Sequence, residues 1–318
     1  MSNLIRSPLN YTGNKYRILP QITKYFPKKI RCMIDLFCGG ATVGLNVEAE
    51  KVIFIDNNPR VINLLKFLSQ QKFETFLFSC EKLIKKYKLS YSYKFGYSVY
   101  RIKCKDQTDN NGLKDYNTIG FYKLRSDYNA LTDKNSSQAN VMLYMLMVYG
   151  FNNDIRFNSE GEFNLPVGKT DLNRMNVVKI KNYIERIQKM KTEFICANFT
   201  DNALDEIIGK SDFIYMDPPY LITNAVYNST WNSKMEHALL DFIDTLIDRK
   251  INFALSNIIE KVGRTNEPLS YWCHKRSSKI TIHHIEYDYR SASYNKSARN
   301  AKEQEVLIIN KEYLNEDQ

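Results

Sequence analysis

Several signatures that would assign this 318-residue chain to a common class are missing from it. It has no long apolar run, and its first residues lack a signal-peptide core, so we expect a soluble, cytoplasmic protein. Its six cysteines are scattered without C-x-x-C spacing, which predicts reduced, packed thiols. Four histidines include one adjacent pair, His283 and His284, whose side chains would point to opposite faces of a strand. We therefore predict no metal site.

A dinucleotide-binding loop with Gly-x-Gly-x-x-Gly spacing is also missing. Gly39 and Gly40 instead follow a predicted strand directly, and residues without side chains let the backbone approach a ligand closely. Asp56 ends the next predicted strand, where a carboxylate can accept hydrogen bonds from two ribose hydroxyls. Together these features predict an adenosine-type ligand without a pyrophosphate. The alternative is an ordinary glycine turn and an ordinary strand-end acid, both of which are common.

The charge of the chain is unbalanced. Lys and Arg number 45 against 35 Asp and Glu, which leaves a formal net charge of +10. This excess favours a polyanionic partner, with a plain solvated basic surface as the alternative.

Apolar runs alternate with helical patterns in two parts of the chain, which predicts an α/β fold built on a parallel sheet. Predicted helices cover residues 41–48, 61–70, 201–208 and 239–248. The predicted strands cover residues 32–37, 51–56, 194–198, 212–216, 253–257, 280–289 and 305–309.

A different segment separates these two parts. Residues 73–187 combine tyrosines with basic residues, an apolar helix at 139–149 and a hairpin around a glycine turn at 157–164. We predict a discontinuous catalytic domain, residues 1–72 and 188–318, that carries an inserted, mainly helical domain at 73–187.

The most informative motif is Asp217-Pro218-Pro219-Tyr220, which follows the predicted strand at 212–216. Two prolines remove two backbone donors and fix φ, so this corner cannot continue a sheet ladder. The Asp217 carboxylate and the Pro218 carbonyl can then accept hydrogen bonds from an amine, and Tyr220 can stack on a flat ring. The alternative is a simple strand-ending turn.

At this point the residues carry a resemblance. The chain resembles the Dam-type (alpha-class) N6-adenine DNA methyltransferases over nearly its whole length. The similar motifs, in chain order, are Pro8 to Lys15, Asp35 to Gly40, Asp56, Arg156 to Gly168, Asp217 to Tyr220 and Leu255 to Asn257. Asn10, Tyr11 and Asn14 stand where that family more often has Lys, Trp and Gly, while Gly13 and Lys15 match it.

The resemblance implies a Rossmann-like, S-adenosylmethionine-dependent methyltransferase sheet with an inserted target-recognition domain. It implies catalytic roles for Asp217, Pro218 and Tyr220 at an adenine that is flipped out of duplex DNA. The implied cofactor-binding residues are Tyr11, Gly13, Lys15, Asp35, Phe37, Gly39, Gly40, Asp56, Asn198, Phe199 and Asp217.

Contacts to DNA are predicted in two places. One is the inserted segment, which includes the hairpin that resembles the family's recognition hairpin, and the other is a polar, basic loop at 290–300. The candidate residues are Arg125, Arg156, Asn158, Lys169, Arg290, Tyr294, Lys296 and Arg299. For any one of these residues, a solvated surface position or a hairpin tip is the alternative.

These observations predict a site-specific adenine N6-methyltransferase that acts on double-stranded DNA, with a restriction endonuclease as a partner acting on the same site. An N4-cytosine methyltransferase is the neighbouring alternative, although that group more often has Ser before Pro-Pro-Tyr. RNA or protein methylation, a non-catalytic DNA-binding regulator on the same fold and an NAD-dependent oxidoreductase are more distant alternatives. A C5-cytosine methyltransferase is disfavoured because no cysteine stands beside prolines.

Overall fold

The computed structural model describes residues 4–10, 13–104, 111–222, 231–261, 263–286 and 303–311. The chain forms two compact units. We call Met1–Asn14, Gly39–Leu45 and Asn58–Met190 the helical unit, and Lys15–Cys38, Asn46–Asn57 and Lys191–Gln318 the sheet unit. The predicted boundaries of the inserted domain, 73 and 187, fall within the Asn58–Met190 segment and stay predictions.

In the described part of the sheet unit, eight strands form one sheet with the order β3-β2-β1-β4-β5-β8-β7, and β6 pairs with β5. The first five strands of that order are parallel, and β8 runs antiparallel to both of its neighbours. The strands are β1 (Cys32–Leu36), β2 (Lys51–Asp56), β3 (Lys191–Cys196), β4 (Phe213–Met216), β5 (Asn252–Lys261), β6 (Arg264–Thr265), β7 (Ile280–Ile285) and β8 (Glu303–Asn310).

The central strands are buried on both faces, as their continuous apolar runs predict. In β4 all four residues are buried, and in β2 all but the first. The helices of the sheet unit are α1 (Leu19–Ile22), α10 (Asp205–Ile208), α11 (Ser233–Asp248) and α12 (Glu267–Lys275). One core joins α10, α11 and α12 to the face that carries Ile34 and Ile214, and on the opposite face Phe26 packs against Phe213 and Tyr215.

The strand order defines where a ligand site belongs. The chain passes outward from β1 to β2 and β3, and then returns to the other side of β1 with β4 and β5. Ligands of such sheets bind outside the carboxyl ends of the strands at this point of reversal. The residues that directly follow β1 and β4, Phe37 and Asp217, lie at that edge.

The helical unit is organised around one apolar helix. Every residue of α8 from Ala139 to Tyr149 is buried, as expected for a helix that is apolar on all sides. Tyr183 of α9 donates from its hydroxyl to the Leu65 carbonyl of α3, at 3.0 Å. The longer helices are α3 (Pro59–Ser69), α4 (Phe73–Tyr87), α7 (Lys114–Asn129), α8 (Ser137–Tyr149) and α9 (Arg174–Ile187), and the shorter ones are α2 (Thr42–Asn46), α5 (Ser92–Phe95) and α6 (Tyr97–Arg101).

Most predicted elements are present, with shifted ends. The predicted bounds of β3, 194–198, were wrong. The strand begins at Lys191 and ends at Cys196, because residues 191–193 pair with β2 despite their polar side chains. The last part of the strand predicted at 280–289 lies outside the described residues. The predicted hairpin at 157–164 contains a single bridge, between Phe157 and Phe163.

Among the described residues, no helix combines the length and the apolar character that crossing a membrane requires.

Candidate active site

The Asp217 corner is held by a lysine that is distant in sequence. The Nζ of Lys15 lies 2.8 Å from Oδ1 of Asp217, and the Tyr220 hydroxyl donates to the same Oδ1 at 3.0 Å. Nζ of Lys15 also lies 5.0 Å from the centre of the Tyr220 ring. Three of the predicted site residues are therefore brought together. The contacts from Lys15 and from the Tyr220 hydroxyl both fall on Oδ1. Oδ2 is therefore the carboxylate oxygen that the described residues leave for a ligand amine.

A fourth group completes this cluster, and the sequence analysis missed it. Glu305, on β8, places its Oε1 at 3.6 Å from Lys15 Nζ and accepts a hydrogen bond from the Tyr220 hydroxyl at 3.4 Å. The available signal was a glutamate directly before the apolar run at 306–309. Because β8 is antiparallel, its first residues lie at the edge where the parallel strands end.

Burial governs the protonation of this cluster. The side chains of Lys15 and Glu305 are 6% and 4% exposed, and that of Asp217 is 20% exposed. Burial raises the pKa of Asp217, and the nearby Lys15 ammonium offsets part of that rise. For Lys15, burial lowers the pKa but the carboxylates of Asp217 and Glu305 outweigh it, so the pKa is raised overall. Burial, Asp217 and Glu305 together keep the pKa of Tyr220 well above its usual range.

Acidic side chains also concentrate at the neighbouring strand ends. Asp35 and Asp56, near the ends of β1 and β2, are 2% and 8% exposed. The pKa of the Cys38 thiol is raised well above the usual range. Burial is the largest cause, and Asp56 and then Asp35 add to it. Carboxylates at this edge can accept hydrogen bonds from the hydroxyl groups of a ligand.

The loop after β1 has an uncommon backbone conformation. Phe37 and Ala41 both adopt positive φ, at 63° and 62°, and neither is glycine. Such conformations cost about 1–3 kcal/mol each and persist only where the surroundings enforce them, often at ligand sites. Gly39, with φ 47°, has the conformational freedom that this turn requires.

Phe37 packs into an aromatic cluster in the sheet unit. Its ring centre lies 5.3 Å from that of Phe199 and 5.8 Å from that of Trp231. Trp231 is in turn fixed because its indole N–H donates to Glu236 at 2.7 Å. Phe199 is 5% exposed, so its ring serves mainly this cluster. The adjacent Asn198 is half-buried, and its side-chain oxygen accepts from the Thr200 amide at 3.2 Å.

The other predicted cofactor residues belong to the helical unit. Gly13 has φ 83°, a left-handed conformation that favours glycine. The Gly40 carbonyl accepts a hydrogen bond from the Ser7 hydroxyl at 2.6 Å. Tyr11 lies outside the described residues, as do the predicted DNA contacts Arg290, Tyr294, Lys296 and Arg299.

The remaining DNA candidates lie in and around the predicted hairpin. Arg125 donates to the Leu165 carbonyl at 3.1 Å, and the Nε of exposed Arg156 donates to the Asn164 side chain at 2.8 Å. Asn158 shapes the turn by accepting from the amides of residues 160 and 162. Lys169 is exposed, and its carbonyl accepts from the Leu113 amide at 2.9 Å.

Asn129 of α7 was not singled out from the sequence, yet it anchors this hairpin. Its side chain exchanges two hydrogen bonds with the backbone of Phe163, at 2.9 and 3.1 Å. A lone asparagine inside a helical pattern carries no sequence signal for such a contact.

The sheet order, the acids at the ends of β1, β2 and β4 and the Asp-Pro-Pro-Tyr corner together define a class, the Rossmann-like methyltransferase fold. Comparison with known proteins agrees with this class. Residues 11–290 match the D12 class N6 adenine-specific DNA methyltransferases, and the chain belongs to this family.

Individual relatives are similar over most of the chain. It is 35% identical to the modification methylase StsI of Streptococcus sanguinis and 33% identical to the type II methyltransferase M.FokI of Planomicrobium okeanokoites. Each comparison covers 97% of this chain but 43% of the relative, so the chain spans less than half the length of these proteins. A DNA adenine methylase of Haemophilus influenzae is 26% identical over 80% of each chain.

Proposed function

We propose that the protein transfers a methyl group from S-adenosylmethionine to N6 of an adenine in double-stranded DNA. The observation that carries the proposal is the Asp217 corner, where Lys15 and Tyr220 contact one carboxylate oxygen and the described residues leave the other for an amine. Membership of the D12 class supports adenine as the base.

The residues at the strand ends fit S-adenosylmethionine. Asp56 would accept from the ribose hydroxyls, and the backbone between Phe37 and Gly40 would lie against the nucleoside. When bound, this cofactor supplies a sulfonium-activated methyl group, which needs no covalent enzyme intermediate.

The protein's contribution is to make N6 a better nucleophile. The lone pair of an adenine amine is delocalised into the ring, and accepting both amine protons localises it on nitrogen. Asp217 Oδ2 and the Pro218 carbonyl would accept those protons while the Tyr220 ring stacks on the base. These hydrogen bonds strengthen as positive charge develops on N6, so they stabilise the transition state more than the ground state.

Reaching such a corner requires the target base to leave the duplex. We propose that the inserted segment, residues 73–187, recognises the sequence, with Arg156 at the hairpin and other basic residues on the phosphates. The names of the similar modification methylases support a role in protecting DNA from a restriction endonuclease that acts on the same site.

The proposal is tested by measuring transfer of a tritiated methyl group to duplex DNA. Asp217→Ala should lose at least about 100-fold in rate, because an acceptor aimed at developing charge is removed. Its cofactor affinity should change little. The matched control is Asp205→Ala, which removes an exposed aspartate of the sheet unit that pairs with Arg249 at 3.5 Å.

Base flipping has its own reporter, 2-aminopurine at the target adenine. Its fluorescence should rise with the wild-type protein and rise in part with Asp217→Ala. If Asp217→Ala methylates normally, or if no probe position brightens, the corner is a structural turn and the proposal fails. Methylated cytosine as the product would instead favour the N4-cytosine alternative.

A further inference from the structure

Glu305 is a second buried carboxylate beside Asp217, and the proposed chemistry does not use it directly. It directly precedes the apolar run from Val306 to Ile309, whose residues are fully buried. Register with β5 places Glu305 on the same face of the sheet as Tyr215 and Ser256. The strand could bury an apolar residue here at lower cost, because a buried carboxylate loses its hydration.

The contacts of Glu305 are directed at the two groups that hold Asp217. Its Oε1 lies 3.6 Å from Lys15 Nζ and 3.4 Å from the Tyr220 hydroxyl. Lys15 and Tyr220 each contact Asp217 Oδ1 as well, so both bridge the two carboxylates. Loss of Glu305 would therefore remove one of the two carboxylate contacts that each of these groups makes.

We propose that Glu305 is a positioning residue for methyl transfer, which holds Lys15 and Tyr220 on the Oδ1 side of Asp217 so that Oδ2 faces the substrate amine. This inference rests on the function proposed above. In this proposal β8 orients both the Asp217 acceptor and the Tyr220 ring.

The charge of Glu305 gives the inference a measurable signature. The titratable groups around Asp217 are Lys15, Tyr220 and Glu305, with Tyr215 behind them and Asp35 on the neighbouring strand. Asp217 must be ionised to accept from an amine, so its pKa sets the acid limb of the rate profile. The negative charge of Glu305 contributes to raising that pKa. With Lys15 still on Oδ1, removing the charge should move the acid limb to lower pH; a shift to higher pH would mean that Lys15 has left Asp217.

The test compares Glu305→Gln with the wild type and with Glu193→Gln. The control makes the same chemical change on β3, where Glu193 pairs with Lys51 at 2.8 Å on the exposed surface. Glu305→Gln should lower kcat about 10- to 100-fold, the cost of misplacing groups that orient a reaction. Affinity for S-adenosylmethionine and KM for DNA should stay within about threefold, since neither ligand contacts Glu305 in this arrangement. Glu193→Gln should change none of these quantities.

Two further variants separate positioning from folding. Glu305→Asp keeps the charge and should restore the wild-type acid limb. Tyr220→Phe removes the hydroxyl that contacts both carboxylates. Glu305→Gln should lower kcat less in the Tyr220→Phe background than in the wild type, because the two residues act through one contact.

The inference is overturned if Glu305→Gln keeps the wild-type kcat and acid limb. It is also overturned if the loss is accompanied by equal loss of cofactor binding, or if the double variant is fully additive. If Glu305→Gln does not fold, Glu305→Asp decides the matter, because its carboxylate is held on a shorter side chain: a kcat about tenfold below wild type supports positioning, and a wild-type kcat overturns the inference. A wild-type protein that transfers no methyl group would instead contradict the proposed function.

Discussion

Replacing Lys15 with Met is the most direct probe of the buried cluster. The side chain keeps its length but loses its charge, which leaves the carboxylates of Asp217 and Glu305 without their shared cation. With an effective dielectric constant of about 20, the attraction is roughly 6 kcal/mol at 2.8 Å and roughly 5 kcal/mol at 3.6 Å. Desolvation opposes most of this, and removing one partner of a buried ion pair costs about 3–5 kcal/mol overall.

A matched control is available in the same sheet. Lys51 lies 2.8 Å from Glu193, the same separation as between Lys15 and Asp217, but its side chain is 43% exposed. Exposed pairs contribute about 0–1 kcal/mol. Lys51→Met should therefore leave stability nearly unchanged, and the contrast between the two variants isolates the effect of burial.

Thermal and urea unfolding at neutral pH measure the difference. The raised pKa of Lys15 means that its contribution is present below its ordinary value of 10.5 and is lost as pH rises through the folded-state value. The lysine is therefore fully charged in the assay. We expect Lys15→Met to lower the melting temperature by roughly 4–8 °C, because the entropy of unfolding grows with the 318 residues of the chain. A loss no larger than that of Lys51→Met would refute the reasoning, because the cluster would then be as solvated as a surface pair.

Three other outcomes are expected. Lys15→Met should move the acid limb of the rate profile to higher pH, opposite to Glu305→Gln, because Lys15 lowers the pKa of Asp217. An acid limb at the wild-type pH would contradict this. Asp56→Ala should weaken S-adenosylmethionine binding by calorimetry at least about tenfold, since two charge-assisted hydrogen bonds of ~1.5–3 kcal/mol are lost, and unchanged affinity would exclude the ribose assignment. Affinity for a cognate duplex should fall steeply with salt as phosphate contacts release counterions, and a flat salt plot would argue against a nucleic-acid substrate.

The buried acid Glu236 illustrates how the fold supports the site at a distance. Its two oxygens accept from Trp231, Asn257 and Asn266, at 2.7, 3.3 and 2.7 Å. Trp231 packs on Phe37 of the loop after β1, so this network ties the position of that loop to α11 and β5. The three partners come from separate parts of the chain, and a hydrogen-bonded buried network of this kind rigidifies what it contacts.

The sequence by itself determined the elements that depend on local patterns. Continuous apolar runs predicted β1, β2 and β4 because strands covered on both faces need apolar side chains at every position. The proline pair after Met216 predicted a corner, since proline has a fixed φ and no amide proton. The motifs around Lys15, Asp35 and Asp217 indicated the family before any contact was known.

Tertiary structure alone decided which groups meet. Lys15, Asp217 and Glu305 are far apart in the chain, and no spacing or periodicity relates them. They come together because β4 lies beside β1 and β5, while β8 enters the sheet antiparallel and brings its first residues to the edge where the parallel strands end. The bounds of β3 were equally undetermined by sequence. Its polar first half is stabilised by backbone pairing with β2, which does not require apolar side chains.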